Sequence, residues 1–248
     1  MKAQLRAELL KQRSTRTNSG LVTGMLGLVL FVVLLHAVGL AVGNIDETQE
    51  QLMVFGRGEF LGALFAALLG AMSITGEIRH GTIRPTFLVT PSRRPVIAAK
   101  VLVSMLIGAG FGLAAGVVAA GVGAAGLTAR GIDVRLDAVD FALLLGGSAV
   151  AASLWAAIGV GVGAVVRNQV PAIVGICAWL LFVEGLLVGD IADITRVGRF
   201  APGAAGEALS GQGPGTLLAP ALALVVLVLW AAVSAVAGSL ATARRDVV

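Results

Sequence analysis

The chain reads as an all-α membrane protein with six transmembrane helices, and three observations predict it. Hydrophobic residues fill 57% of its 248 positions and charged residues only 13%, against about 25% charged in an average soluble domain. Six windows approach the ~20 mostly apolar residues that a helix needs to cross a hydrocarbon core of about 30 Å. Lys and Arg are distributed unevenly over the segments between those windows, as membrane orientation requires. Backbone polar groups inside a bilayer must be satisfied within the structure, which leaves helices or barrel strands. Barrel strands alternate in polarity over about ten residues, and the unbroken apolar run 217–230 does not.

Taken in order, residues 1–19 place Leu5, Leu9 and Leu10 on one helical face with Lys2, Arg6 and Arg13 around the other. That pattern suits a helix lying in the membrane interface better than a solvated basic tail. The first span is 20–43. Its apolar run exceeds the ~7–15 residues of a signal-peptide core, so it reads as a retained helix. His36, near its outer end, reads as a packing residue. The second span, 60–76, begins at Phe60, and the fourth, 141–166, at Phe141; both phenylalanines fit interfacial anchors. The third span, 101–127, carries Gly108, Gly112 and Gly116 at four-residue spacing, which lets helix backbones approach closely. Gly159, Gly161 and Gly163 lie inside a charge-free span with no strand before them, so packing explains them better than phosphate binding. The fifth span, 170–189, holds one charge, Glu184. A carboxylate at membrane depth must face protein or water; it could contact a proton or a substrate, but the reading preferred here is a partner in the outer loop, Arg196 or Arg199. In the long outer segment that follows, 204–209 reads as a short helix with Pro202 near its start. The last span is 217–241. Trp155, Trp179 and Trp230 fall near mid-span and read as core packing.

With the N-terminus inside, 13 of the 18 Lys and Arg residues face the cytoplasm and five face out. The positive-inside rule therefore places both termini in the cytoplasm. The basic residues flank apolar segments, which argues against a nucleic-acid partner and for a lipid bilayer. Cys177 is the only cysteine, so no intrachain disulfide or thiolate metal cluster can form. The basic residues are mostly arginine, and Ala, Gly and Val are abundant, as in the products of GC-rich bacterial genomes. The whole chain, 1–248, forms one membrane domain.

The densest local pattern is 77–100, the cytoplasmic connection between spans two and three. Gly81 permits a sharp turn, Thr82 can cap a short helix toward Leu88, and Pro85 falls in that helix's first turn. Pro91 ends the turn, Pro95 suits the first turn of the third span, and Arg93, Arg94 and Lys100 stand at the membrane boundary. On its residues alone this segment is a docking element or simply a positively charged loop.

The run Glu77, Gly81-Thr82, Leu88, Thr90-Pro91, Arg93-Arg94 and Lys100 resembles the signature loop of type 2 ABC transporter permeases, the six-helix membrane subunits of bacterial ABC exporters. The likeness extends to the topology: an interfacial N-terminal helix, six spans, a coupling loop after span two, and an elaborated outer segment between spans five and six. The commoner family form has Leu where this chain has Ile83. The resemblance implies an efflux permease of the bacterial cytoplasmic membrane that pairs with a second permease subunit and with two separate ATP-binding subunits. Those subunits would bind ATP and Mg²⁺, leaving this chain without a cofactor or catalytic residues of its own. It also implies that Glu77, Arg79, Gly81, Thr82, Leu88, Thr90, Pro91, Arg93 and Arg94 contact the ATP-binding subunit, with Lys100 as a boundary anchor and Glu77 as a hinge or salt-bridge residue near the N-terminal helix. The competing classes are an ion-driven secondary transporter and a membrane-embedded enzyme. The first calls for broken helices and midplane charges, and the second for a catalytic constellation at membrane depth. The chain has no G-x-x-x-x-G-K-[ST] loop, so an ATP-dependent mechanism needs a second protein.

Overall fold

The structure, a computed structural model, describes residues 2–38, 47–89, 93–188, 197–212 and 217–244. Regular structure among these residues is helical throughout. The helices are α1 (Lys2–Ser14), α2 (Arg16–Ala37), α3 (Thr48–Arg79), α4 (Ile83–Val89), α5 (Arg93–Ala129), α6 (Ala138–Val166), α7 (Gln169–Ala178), α8 (Glu184–Val188), α9 (Pro202–Leu209) and α10 (Pro220–Arg244). A π-helical turn, Trp179–Val183, joins α7 to α8. Six helices are long and apolar enough to span a membrane: α2, α3, α5, α6, the α7–α8 unit and α10.

Two of these helices make the centre. In α3 and α6, 67% of the most apolar stretch is buried within the chain, against 22% in α2, the α7–α8 unit and α10. Close approach between the central helices depends on glycine. A Cβ on Gly159 of α6 would lie 2.0 Å from the Ala67 carbonyl oxygen of α3, and one on Gly70 would lie 2.1 Å from the Ala156 oxygen. The expected glycine row in α5 works in the same way against α6: a Cβ on Gly112 would sit 2.1 Å from the Ser148 oxygen. Between membrane helices such packing supplies the association that hydrophobicity cannot. Gly161, once a candidate for a nucleotide loop, faces Ser234 of α10 at a similar distance.

Sequence-expected boundaries shift where charge interrupted the apolar windows. The second spanning helix begins at Thr48, twelve residues before 60, and takes Arg57 and Glu59 into its body. Phe60 therefore lies well inside a helix and is no span-start anchor. The third spanning helix begins at Arg93, so Pro95 lies in its first turn as expected and Lys100 belongs to the helix, not to the loop. A helix continues as long as its backbone hydrogen bonds do, and charged side chains do not stop it when partners are near. Pro202 opens α9 at its first position, as read from the sequence.

The two ends of the bundle are tied differently. At one end lie α1, the C-terminus of α3, α4 and the start of α5, where Arg93 donates to the Thr242 carbonyl of α10 at 2.6 Å. We call this the loop end. At the far end the buried Gln51 of α3 bridges the α5–α6 connection. It donates to the Asp133 carbonyl at 2.9 Å and accepts from the Arg135 amide at 2.9 Å. Asp137 and Asp140 form a capping box at the start of α6, satisfying amides that hydrocarbon could not. Phe141 packs edge-on against Phe55, ring centres 5.4 Å apart. His36 bonds to the Val32 carbonyl at 2.8 Å within its own helix, the packing role read for it.

Candidate functional site

Residue chemistry converges at the loop end. Helix α3 stops at Arg79, and the chain turns through Gly81 at φ +70°, a conformation that costs side-chain-bearing residues about 1–2 kcal/mol. Thr82 precedes α4, and the Thr86 hydroxyl donates to the Thr82 carbonyl at 3.2 Å. Ile83 is buried with Ile74, Ile97 and Ala164, pinning the first residue of α4 to the bundle. The other end of α4 projects: Leu88 is 82% exposed. A cavity of about 450 Å³ separates α4 from α1, with Ala3, Ala7, Pro85 and Val96 among its walls.

Beneath the turn lies a closed network of four charges. Lys100 is 1% exposed, and its ammonium reaches Glu77 Oε1 at 2.7 Å, Glu8 Oε2 at 2.9 Å and the Ser73 carbonyl at 3.1 Å. Three donors thus meet three acceptors. Lys11 closes the ring, 2.9 Å from Glu8 Oε1 and 2.9 Å from Glu77 Oε1. The network joins α1, the last turn of α3 and α5 at one point. Burial alone would lower the Lys11 ammonium, but the bonds and charges of Glu8 and Glu77 outweigh it and hold the group above its ordinary range. Glu77 Oε2 is buried without a hydrogen-bond partner.

Of the residues singled out from the sequence, Glu77 and Lys100 meet directly, and Gly81 and Thr82 form the turn beside them. Lys100 is no boundary anchor, because its charge is buried in ion pairs. Arg93 turns to α10, Arg79 reaches Gln169 of α7 only at 3.5 Å, and Arg94 is exposed. Thr90 and Pro91 lie outside the described residues. Sequence reasoning missed Glu8 and Lys11, whose partners lie 92 and 66 residues away. The leucines of α1 supplied a partial signal. Leu10 is 69% exposed while Glu8 and Gln12 are buried, so α1 meets the bundle with its polar face.

A second group of titratable side chains occupies the far end. Glu184 accepts a hydrogen bond from the Trp179 indole across the π-helical turn and another from the Gly203 amide at 2.9 Å, and is bonded by the Ala204 amide. It thus holds the free N-terminal amides of α9, where a helix favours negative charge. The expected pairing with Arg199 is not formed; that guanidinium lies over the Phe200 ring, 4.9 Å from its centre. Arg196 lies outside the described residues. Glu207 of α9 and the buried Glu59 of α3 join Glu184 as mutually repelling neighbours. Burial pushes the Glu207 carboxyl up, and the nearby Arg57 draws it back only in part. A cavity of about 250 Å³ opens between Phe60, Leu180, Glu184, Ala204 and Glu207. Trp179 packs against Trp230 at 6.2 Å, and the Trp230 indole donates to the Phe200 carbonyl at 3.0 Å. Of the three tryptophans expected to pack in the core, Trp155 is buried within it and Trp179 packs partly buried against it, whereas Trp230 is 38% exposed.

Neither a protein-family model nor a curated protein matches this chain.

Proposed function

We propose that this chain is the membrane-spanning permease subunit of an ATP-driven exporter of the type 2 ABC class. It would work as a dimer and be driven by two separate ATP-binding subunits in the bacterial cytoplasmic membrane, with the loop end and both termini on the cytoplasmic side and α1 along the interface. The observation that carries this reading is the construction of the loop end. A short helix with an exposed Leu88 at its tip is pinned at its base by Ile83 and follows, through the turn at Gly81, the end of α3 where Glu77 pairs with Lys100. A partner that moves α4 pulls on the end of α3. The two lysines convey that pull to α1 and α5, since displacing Glu77 alone would take from the buried Lys100 the shorter of its two ion pairs and leave it Glu8 only. Three helices then move together, as a transporter needs in order to change the side to which its path opens. The chain hydrolyses nothing in this scheme; ATP and Mg²⁺ belong to the partner.

The reading is tested by co-expressing the chain with a Walker-type ATPase encoded beside its gene. Co-purification and transport-coupled ATP hydrolysis are expected. Leu88→Asp and Arg94→Ala lie on the exposed surface and should abolish or sharply reduce co-purification while the chain itself still purifies folded. Glu77→Ala should uncouple hydrolysis from transport. If all three variants assemble and transport like the wild type, the loop is not the coupling element.

A further inference from the structure

We propose that a groove along α3, between α2 and α7, holds an anionic phospholipid, with its phosphate at the loop end beside Arg79 and its acyl chains over Met72, Leu68 and Phe65. The inference begins from a gap in the burial of a central helix. From Leu61 to Thr75 every residue of α3 is buried except Phe65, Leu68, Met72 and Ser73. Phe65, Leu68 and Met72 recur every three or four positions, so they form one stripe along the helix. Both α2 and α7 pack against α3, and a Cβ on Gly24 of α2 would lie 3.7 Å from the Phe65 ring. The flanking helices expose apolar side chains of their own, Leu28 and Phe31 on α2 and Val170 and Val174 on α7. A stripe in such surroundings meets acyl chains, not water.

Where the stripe reaches the loop end it opens into a cavity of about 620 Å³. Met72, Ser73 and Gly76 of α3 line this cavity, together with Thr15 and Thr17 at the start of α2 and Gln169 at the start of α7. The cavity is therefore bounded by the ends of three spanning helices, at the depth where a bilayer places its headgroups.

The charges there select the class of lipid. Arg79 and His80 line the cavity and are exposed, and Arg16 stands exposed between Thr15 and Thr17. The Arg79 guanidinium reaches Gln169 Oε1 only at 3.5 Å, beyond ideal hydrogen-bond length, which leaves its planar fork to a phosphate. Among the described lining residues Glu77 is the one acid, and Lys11 and Lys100 already pair with it. The rest of the mouth is positive, and each basic residue near a membrane surface favours an anionic headgroup. A free phosphate would satisfy Arg79 but leave the apolar stripe uncovered, whereas a phospholipid meets both.

The site does not depend on the exporter reading, since binding is measured on the chain without any ATPase. The full chain, delipidated in dodecyl maltoside, is titrated with phosphatidylglycerol, phosphatidylcholine or inorganic phosphate, and retained lipid is counted by native mass spectrometry. Phosphatidylglycerol should be held roughly tenfold more tightly than phosphatidylcholine or better, and inorganic phosphate should not displace it. Arg79→Gln should weaken retention about fivefold, the effect of one basic residue at an anionic surface. Gly76→Leu should abolish it by filling the cavity, because a Cβ at that position meets nothing within 4 Å. Gly121→Leu, equally free of neighbours, should retain lipid like the wild type. Melting temperatures report whether each variant is folded, and Arg79→Gln changes only an exposed side chain. Equal retention of the two lipids overturns the proposal, as does wild-type retention by the folded groove variants. Displacement by inorganic phosphate overturns it in favour of a free anion. A disulfide between two copies of Met72→Cys on a Cys177→Ser background would show that a second chain covers the groove, and overturns it as well.

Discussion

Lys100 and Lys11 do the same chemistry in different surroundings, and the difference decides what each contributes. Lys100 is 1% exposed between two carboxylates, whereas the Lys11 side chain is 42% exposed. Removing one partner of a buried ion pair costs about 3–5 kcal/mol, because the remaining charge is left uncompensated. Lys100→Met should therefore lower stability by about that amount, read as a large drop in melting temperature in detergent. The exposed lysine should matter far less, since exposed pairs contribute about 0–1 kcal/mol. Its pH dependence is nonetheless distinctive. Lys11 has a raised value in the fold, so its contribution is fully present below the ordinary lysine value of about 10.4. That contribution is lost as pH climbs through the raised folded value. The melting-temperature gap between wild type and Lys11→Met should stay constant from neutral pH to about 10 and close above it. A gap that closes on the acid side instead would show that the carboxylates, not Lys11, dominate the linkage.

At the scale of elements, glycine placement sets which helices can touch. The four-residue spacing in α5 was legible because it repeats along one face, and α6 lies on that face. The tighter α3–α6 contact was not legible, since Gly70 and Gly159 are isolated in their own helices and gain meaning only once paired. Gly159→Val should force α6 off the Ala67 backbone and cost about 1–3 kcal/mol or more, seen as loss of the monodisperse peak on size exclusion. Gly121→Val, with nothing within 4 Å of its added Cβ, is the matched control and should behave like the wild type. The length of α3 was misjudged for a related reason. Hydropathy stops at Arg57 and Glu59, but the helix does not, because Gln51, Phe55 and Glu59 are all buried against other parts of the chain. Hydropathy reads each residue against lipid, whereas these residues face protein.

For the whole molecule, six spanning helices were readable from length and composition, and the turn at Gly81 with the helix from Ile83 was readable from local residue types. What joins them was not, because ion pairs across 66 and 92 residues leave no mark on local pattern. The proposed sidedness has a direct check that the lone Cys177 makes simple. On a Cys177→Ser background, Leu88→Cys should react with an impermeant maleimide only in inverted vesicles, and Val197→Cys only in right-side-out cells. Both positions are exposed, 82% and 60%. The reverse pattern would place the loop end outside and leave an ATPase no access to it.

The Lys100 network also bears on the order in which the chain is made. Glu8 and Glu77 emerge from the ribosome before Lys100 does, and with Lys11 alone they leave the α1–α3 contact one positive charge short. Helix α1 therefore cannot complete its docking until the first turns of α5 have been synthesised, since Lys100 alone offers a third bond to the Ser73 carbonyl and fills the buried centre of the ring. Helix α1 is thus secured only after α5 has begun, although α2 and α3 are made in between. A chain interrupted before α5 would leave two acids and a single lysine where α1 and α3 meet.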